Sequence, residues 1–246
     1  MDEHTILNIV DINKSFRGLR ALLNVTFHIR KGEIFGLIGP NGAGKTTLFN
    51  VISGFLRPDS GRVDFLGNNL VGCKPHGICR MGLARTFQIV KPFSRLSILE
   101  NVVVGALNTT RDIVLAEEQA RDVLRFVGLE KKALSPAMST TTPDRKRLEL
   151  ARALASRPRL LLLDEVMAGL NPTEQMHIVD LVRKVRETGV TILVIEHAMR
   201  VIMGLCERIA VLHHGERIAE GDPKAICSNQ DVIEAYLGKG NAFVRN

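Results

Sequence analysis

The chain has 246 residues, of which 45% are hydrophobic, and its formal net charge is +7. This length allows one large domain, or a core that carries a smaller inserted subdomain. A basic charge suits nucleic acid or an anionic membrane surface. However, the chain has no Trp and a single Tyr, and most of its ten Phe lie in apolar strand-like runs rather than at positions for stacking on bases, so we predict no nucleic-acid partner.

The N-terminal part of the chain alternates strand-like segments with turns. Residues 6–10 and 21–29 are strand-like, and residues 62–67 show the alternation of a half-buried strand. Between them, residues 34–38 predict a buried strand and residues 47–52 predict the beginning of a helix.

The loop between that buried strand and that helix has the composition of a phosphate cradle. It fits the pattern G-x-x-x-x-G-K-[ST] with the residues Gly39, Pro40, Asn41, Gly42, Ala43, Gly44, Lys45, Thr46 and Thr47. Backbone N–H groups of such a loop surround the phosphates, and the helix N-terminus adds a favourable dipole. Lys45 would reach the β- and γ-phosphate oxygens, and the Thr46 hydroxyl would ligate Mg²⁺. The sequence therefore predicts binding of a nucleoside triphosphate with Mg²⁺.

The middle of the chain, from about residue 97 to residue 155, has a helical pattern, clearest over residues 113–127. Strand–helix–strand then returns, with apolar strands at 160–163 and 190–195 around an amphipathic helix at 173–187. Continuous apolar strands joined by crossover helices predict a parallel sheet that is covered on both faces. We expect the helical middle to be an insertion into this α/β core.

Two acidic residues, Asp164 and Glu165, follow the first of those apolar strands. Ligands bind at the carboxyl ends of strands in open parallel sheets. Phosphoryl transfer needs a carboxylate near Mg²⁺ and a group that orients or deprotonates the attacking water. We predict that Asp164 has the first role and Glu165 the second.

Six motifs follow one another in a characteristic order. They are the P-loop at residues 39–47, Gln88 in residues 85–88, the helix at 147–154, the pair Asp164-Glu165, residues 168–171, and His197 in residues 195–197. With these motifs the chain resembles, over nearly its whole length, the nucleotide-binding subunit of an ATP-binding cassette (ABC) transporter.

The resemblance implies an α/β fold: a P-loop NTPase core with a mostly parallel sheet, an N-terminal antiparallel β subdomain and an inserted α-helical subdomain. We expect residues 1–246 to form a single ABC ATPase domain. Its α/β core and β subdomain would comprise about residues 1–90 and 156–246, and its helical subdomain about residues 91–155.

The resemblance also assigns roles to individual side chains. Gln88 would contact Mg²⁺ and the water, and would couple the site to the transport partner. Asp164 would bind Mg²⁺, Glu165 would act as general base, and His197 would hydrogen-bond the γ-phosphate and Glu165. Phe16 stands where the family places an aromatic residue that stacks on adenine; the alternative is a core Phe at the end of a strand.

Within the family, residues 85–88, 168–174 and 233–238 are similar to the branched-chain amino acid importer ATPases. This similarity implies ATP-driven import of branched-chain or related amino acids. The implied partners are membrane permease subunits, a second ATPase subunit and, indirectly, a substrate-binding protein. Lipopolysaccharide-export ATPases share much of the pattern, so export stays open, as does a soluble nucleotide-binding regulator with little turnover. A soluble ABC protein acting on ribosomes or DNA would carry a second cassette or a coiled-coil insertion, which this chain lacks.

The signature loop departs from the family pattern, which is usually Leu-Ser-Gly-Gly-Gln. Here it reads Thr140-Thr141-Thr142-Pro143-Asp144. Thr141 keeps a hydroxyl, but Pro143 has no N–H to offer a phosphate and Thr142 adds a side chain where the backbone approaches closely. In the family this loop serves the nucleotide of the partner subunit. We therefore expect a heterodimer with one full and one weakened site, and a homodimer is the alternative.

Several features favour a cytoplasmic location. The four cysteines have neither C-x-x-C nor metal-binding spacing, which is typical of reduced thiols. The N-terminus lacks the layout of a secretory signal, and the longest apolar runs are too short to span a bilayer. We expect a cytoplasmic protein that is peripheral on the inner face of the cell membrane.

Overall fold

The computed structural model describes residues 4–88 and 91–237, which contain ten strands and nine α-helices. The strands are β1 (Thr5–Phe16), β2 (Leu19–Arg30), β3 (Ile34–Ile38), β4 (Ser60–Phe65), β5 (Asn68–Asn69), β6 (Leu83–Arg85), β7 (Leu160–Asp164), β8 (Thr191–Ile195), β9 (Arg208–His213) and β10 (Glu216–Gly221). The helices are α1 (Lys45–Ile52), α2 (Pro75–Arg80), α3 (Ile98–Ala106), α4 (Ile113–Phe126), α5 (Thr142–Ala155), α6 (Pro172–Glu187), α7 (Met199–Leu205), α8 (Pro223–Ser228) and α9 (Gln230–Leu237). The chain divides into two units: residues 1–72 with 193–246, and residues 73–192.

The first unit contains an antiparallel sheet in the order β2-β1-β4-β5. Ile9 of β1 lies opposite Phe27 on one side and Val63 on the other, and all three side chains are buried. The alternation of buried and exposed residues along β1 and β2 places the apolar side chains on one face. That face forms part of the core of this unit.

The first unit also contains β3, which pairs in parallel with β9, while β9 pairs antiparallel with β10. All five residues of β3 are buried, as expected for a strand of a parallel sheet that is covered on both faces. Phe27 of β2 stacks on Phe35 of β3, with ring centroids 5.2 Å apart. This contact packs the antiparallel sheet against β3, the strand that leads into the phosphate loop.

In the second unit, β6 and β7 form a parallel pair in which Ala84 lies opposite Leu161. All five residues of β7 are buried, and its apolar run ends in the carboxylate of Asp164. The helices α3, α4 and α5 pack on one another, and Val102, Leu124 and Leu148 are fully buried in this part of the unit.

The local elements agree closely with the sequence patterns. The predicted strands at 34–38 and 160–163 are β3 and β7, and the predicted helices at 113–127 and 173–187 are α4 and α6. The proposed boundaries of the helical subdomain, at about residues 91 and 155, stay a prediction. Over the described residues, no helix combines the length and apolar character needed to cross a membrane.

Candidate functional site

The predicted phosphate loop connects β3 to α1 and passes very close to other backbone segments. A Cβ on Gly39, whose φ is +149°, would lie 2.1 Å from the carbonyl oxygen of Leu212. A Cβ on Gly44, whose φ is +103°, would lie 2.5 Å from the carbonyl oxygen of Ala21. Only glycine fits at both positions, so the shape of the loop depends directly on its composition.

The beginning of α1 is arranged to meet an anion. Gly44 is the N-cap residue and supplies no side-chain cap, and the first turn of the helix contains no acidic residue. The ammonium group of Lys45 is buried and donates hydrogen bonds to the carbonyl oxygens of Gly39, at 2.6 Å, and Pro40, at 3.0 Å. A phosphate at this helix N-terminus would meet a positive dipole and a positioned ammonium group.

The C-terminal helix α9 also contacts the phosphate loop. The backbone of Gly39 hydrogen-bonds to the hydroxyl of Tyr236, which lowers the pKa of the phenol. Partial burial of Tyr236 has the larger effect and raises that pKa. The contact joins the first residue of the loop to the last described helix of the chain.

Phe16 and His197 are the two other predicted site residues of the first unit. Phe16 ends β1 and is 46% exposed, with Lys14 Nζ at 5.6 Å from the ring centroid. The alternative interpretation of Phe16 as a core residue is therefore wrong, while its role toward adenine stays a prediction. His197 is exposed and lies two residues after the end of β8.

Asp164, at the carboxyl end of β7, is held by a neighbouring arginine in the second unit. Arg85 Nη2 lies 2.8 Å from Asp164 Oδ2, and both side chains are almost completely buried. The hydroxyl of Thr86 accepts a hydrogen bond from the backbone N–H of Asp164 at 3.1 Å. The sequence did not single out Arg85 or Thr86 as site residues, although both belong to the segment that carries Gln88. They fix the position of the carboxylate that we predict to ligate Mg²⁺.

Glu165 and Gln88 lie together, as expected for residues with a shared role. Gln88 Nε2 donates a hydrogen bond of 2.8 Å to Glu165 Oε2. Glu165 has a φ of +50°, a left-handed conformation that is uncommon for a residue with a side chain and that is often found at functional sites. The ammonium group of Lys146 donates to the backbone carbonyl of Glu165 at 3.0 Å, which helps to hold this conformation.

The predicted metal ligands Thr46, Gln88 and Asp164 provide oxygen donors, the kind that Mg²⁺ prefers. The part of the chain that the structure describes contains no group of three or more His, Cys, Asp or Glu residues that could hold a metal ion. A protein that binds Mg²⁺ through few side chains leaves most of its coordination to phosphate oxygens and water. Thr46 in the first unit and Gln88 and Asp164 in the second are each donors of the kind that suits Mg²⁺ arriving with a nucleotide.

The altered signature loop forms the beginning of α5. The hydroxyl of Thr141, the N-cap residue, accepts a hydrogen bond from the backbone N–H of Asp144 at 3.4 Å, and Pro143 occupies the first turn. The carboxylate of Asp144 is buried and forms an ion pair with Lys132. A carboxylate of the chain itself therefore lies in the helix turn that would otherwise attract a phosphate.

Two protein-family models match parts of this chain. Residues 22–168 match the ABC transporter family, and residues 216–242 match the branched-chain amino acid ATP-binding cassette transporter family. The second match includes β10 and α8 and extends through α9, the helix that carries Tyr236.

Individual proteins agree with these matches. The high-affinity branched-chain amino acid transport ATP-binding protein LivG of Salmonella typhimurium is 39% identical over 250 residues, which cover 95% of this chain and 98% of LivG. The crystal structure of the ADP conformation of MJ1267, an ATP-binding cassette of an ABC transporter, has a TM-score of 0.87 at 31% identity and covers 96% of this chain and 99% of MJ1267. The dimeric post-hydrolysis state of the cassette MJ0796, bound to ADP and Pi, has a TM-score of 0.80 at 25% identity and covers 89% of this chain and 99% of MJ0796. These similarities extend over nearly the whole chain.

Proposed function

The chain belongs to the ATP-binding subunits of ABC transporters, with the α/β P-loop NTPase fold and the ATPase activity of that family, and we propose that it energises the import of branched-chain or related amino acids. The observation that carries the proposed substrate class is the separate match of residues 216–242 to the branched-chain amino acid cassette family. The 39% identity to LivG over 95% of the chain supports the same substrate class.

The proposed roles of the site residues follow from their chemistry. The P-loop would hold the phosphates of ATP through backbone N–H groups and Lys45, and Mg²⁺, when bound, would neutralise charge on the phosphate oxygens. Thr46, Gln88 and Asp164 would ligate the metal. Glu165 would take a proton from the attacking water.

Gln88 and His197 have supporting roles in this proposal. The hydrogen bond from Gln88 would orient the carboxylate of Glu165 toward the water. His197 would donate a hydrogen bond to the γ-phosphate, and the exposed ring of Phe16 would stack on adenine. The exposure of His197 and Phe16 is compatible with contact to a bound nucleotide.

The proposed partners are two membrane permeases, a substrate-binding protein and a second, different ATPase subunit, with this chain at the inner face of the membrane. The signature loop supports the heterodimer. Pro143 lacks an N–H group, and the carboxylate of Asp144, which is ion-paired with Lys132, occupies the first turn of α5 in the loop that would approach the partner subunit's nucleotide. A regular signature loop on a different subunit would complete the site that is built on this chain's P-loop.

Uptake measurements in the source organism test the proposed function. The gene is deleted and then complemented with either the wild type or Glu165→Gln, and uptake of radiolabelled leucine, isoleucine and valine is measured at low external concentration. We expect uptake to fall in the deletion strain and to return with the wild type only. Lysine uptake serves as the control and should stay unchanged. Unchanged leucine, isoleucine and valine uptake in the deletion strain would contradict the proposal.

A further inference from the structure

One side of α5 carries three charged residues whose side chains bond to the segments around Gln88 and Glu165. Lys146, Glu149 and Arg152 are spaced three residues apart, which places neighbouring members on the same side of the helix. We call these three residues the α5 charged stripe. Lys146 is 6% exposed and Glu149 is 7% exposed. Charged residues are rarely buried to this extent unless they are paired, so their partners are informative.

The first two members of the stripe bond to the backbone beside the candidate catalytic residues. Lys146 Nζ donates to the carbonyl oxygen of Glu165 at 3.0 Å. Glu149 Oε1 accepts a hydrogen bond from the backbone N–H of Phe87, the residue that precedes Gln88. The first bond holds the main chain at Glu165, and the second holds it at Phe87, immediately before Gln88.

The third member, Arg152, bonds farther along the same segment. Its Nη1 donates to the carbonyl oxygen of Lys91 at 3.2 Å, and its guanidinium group lies 4.8 Å from the centroid of the Phe93 ring. The side chain of Asn101, in α3, accepts from the N–H of Phe93 at 2.8 Å and donates to its carbonyl at 3.1 Å. The main chain is therefore attached to helices on both sides of Gln88.

These contacts close a ring. Lys146 bonds to Glu165, the carboxylate of Glu165 bonds to Gln88, Gln88 follows Phe87 in the chain, and Phe87 bonds to Glu149. Lys146 and Glu149 are joined by one turn of α5. The distance between the Gln88 amide and the Glu165 carboxylate is thus set by a closed set of bonds rather than by one contact.

Glu149 is a costly residue for the interior of the protein. Within the described residues, its second oxygen, Oε2, is buried without a hydrogen-bond partner. Burial raises the pKa of this carboxyl, although the Phe87 N–H and the charges of Lys146 and Arg152 act in the opposite direction. A buried carboxyl with one unpaired oxygen adds little to stability compared with an apolar side chain of similar size. We therefore look for the role of Glu149 in the positions of the residues to which it bonds.

We propose that Glu149 is a positioning residue that, together with Lys146, holds the main chain at Phe87 and Glu165 so that Gln88 keeps its hydrogen bond to the Glu165 carboxylate. This inference rests on the proposed roles of Gln88 and Glu165 in ATP hydrolysis. Glu149 itself touches neither nucleotide nor water in this scheme. It acts through the acceptor oxygen that it presents to the Phe87 N–H, so the length of the side chain is the property that matters.

Two matched substitutions separate the effect of side-chain length from the effect of charge. Glu149→Gln keeps the length of the side chain and an acceptor oxygen but removes the charge. Glu149→Asp keeps the charge but is one methylene shorter, so it loses the bond to Phe87. Glu118→Asp, at an exposed glutamate of α4 in the same unit, is the control. Each purified full-length variant is examined for amide hydrogen exchange of a peptide that contains Phe87, for melting temperature, and for the kcat and KM of ATP hydrolysis.

We expect Glu149→Asp to exchange the Phe87 amide at least about tenfold faster and to lower kcat about tenfold, with KM for ATP within about twofold of the wild type. Glu149→Gln and Glu118→Asp should match the wild type in exchange and in kcat. Lys146→Met should lower kcat in the same way, because it releases the Glu165 carbonyl from the other end of the ring.

Two outcomes would overturn the inference. The first is wild-type exchange and kcat in Glu149→Asp, and the second is an equal loss of kcat in Glu149→Gln and Glu149→Asp. If the isolated wild-type chain showed no measurable ATP hydrolysis, that result would agree with the heterodimer proposal, and the exchange of the Phe87 amide would decide whether Glu149 holds this segment. Failure of the proposed function itself would appear in the uptake measurements.

Discussion

Gln88 Nε2 donates a hydrogen bond of 2.8 Å to Glu165 Oε2, and the two residues are 77 positions apart in the chain. The amide group can donate to the carboxylate only through its nitrogen, and this single hydrogen bond uses one lone pair of the carboxylate and transfers no proton to it. A general base needs this arrangement, because its orientation is fixed while it retains the capacity to accept a proton.

Substitution of Gln88 tests the importance of that bond. Gln88→Ala removes the donor and should lower kcat about tenfold, since a hydrogen bond to a charged group contributes about 1.5–3 kcal/mol. KM for ATP and the Mg²⁺ concentration that gives half-maximal rate should rise as well, because the substitution also removes a proposed Mg²⁺ ligand. The measurement is steady-state ATP hydrolysis. Gln119→Ala in α4, where the side chain bonds only to Thr109 among the described contacts, is the control and should keep wild-type kcat.

Removal of the base itself should separate binding from hydrolysis. Glu165→Gln keeps the shape of the side chain but cannot take a proton, so we expect kcat to fall at least about 100-fold while ATP binding is retained. Binding is measured by equilibrium titration with a fluorescent ATP analogue, and hydrolysis by phosphate release. Glu187→Gln, at the exposed end of α6, should behave as the wild type. Hydrolysis by Glu165→Gln at the wild-type rate would remove Glu165 from the catalytic role.

Two glycines of the P-loop form a matched pair for stability measurements. A Cβ on Gly39 would lie 2.1 Å from the Leu212 carbonyl oxygen, whereas a Cβ on Gly42 would meet nothing within 4 Å, although both residues have positive φ. Gly42→Ala should therefore cost only the left-handed backbone penalty, about 1–2 kcal/mol of unfolding free energy. Gly39→Ala adds a backbone clash, and we expect a loss of about 3 kcal/mol or more.

Urea unfolding without nucleotide measures both variants under the same conditions. The comparison depends on the difference between them, which contains the clash at Gly39 and the larger backbone strain of its φ of +149° compared with +79° at Gly42. Equal losses for Gly39→Ala and Gly42→Ala would mean that the close approach to Leu212 relaxes at no cost, and would contradict the packing described for the loop.

The sequence predicted the parts of this molecule that depend on local patterns. The P-loop, β3 and β7 follow from glycine spacing and from short apolar runs, and these patterns need no knowledge of distant contacts. The acidic pair at the end of β7 follows in the same way, because ligands bind at the carboxyl ends of such strands.

The partners of the site residues could not be predicted in this way. Arg85 and Asp164 are 79 positions apart, and Phe87 and Glu149 are 62 positions apart. Such pairs depend on how strands and helices pack, which hydrophobic periodicity does not specify. Phe16 shows the same limit, since its place at a strand end fits either a core residue or a stacking platform. Its exposure of 46% excludes the core residue, and its role toward adenine stays a prediction.

Repair of the signature loop tests the heterodimer proposal. In a homodimer of this chain, each nucleotide would face the altered loop of the other copy, where Pro143 offers no N–H. Thr142→Gly/Pro143→Gly restores the backbone of the family pattern and should raise the ATPase rate of the isolated chain by about tenfold or more, since each oxyanion-type donor contributes about 100-fold or more in favourable cases. The measurement is ATP hydrolysis as a function of protein concentration.

Three controls make this result specific to the backbone donor. Pro143→Ala returns the N–H alone and should recover part of the gain, whereas Thr142→Ala returns no donor and should recover little of it. Addition of Glu165→Gln to the repaired loop should abolish the gain, because the rise must come from hydrolysis at the described site. Suppose that the unrepaired chain alone hydrolysed ATP cooperatively at the rate of a complete transporter, and that the repair did not raise that rate. The proposal that this loop forms a weakened site would then be wrong. The altered loop would then support hydrolysis as it stands, and a homodimer would suffice.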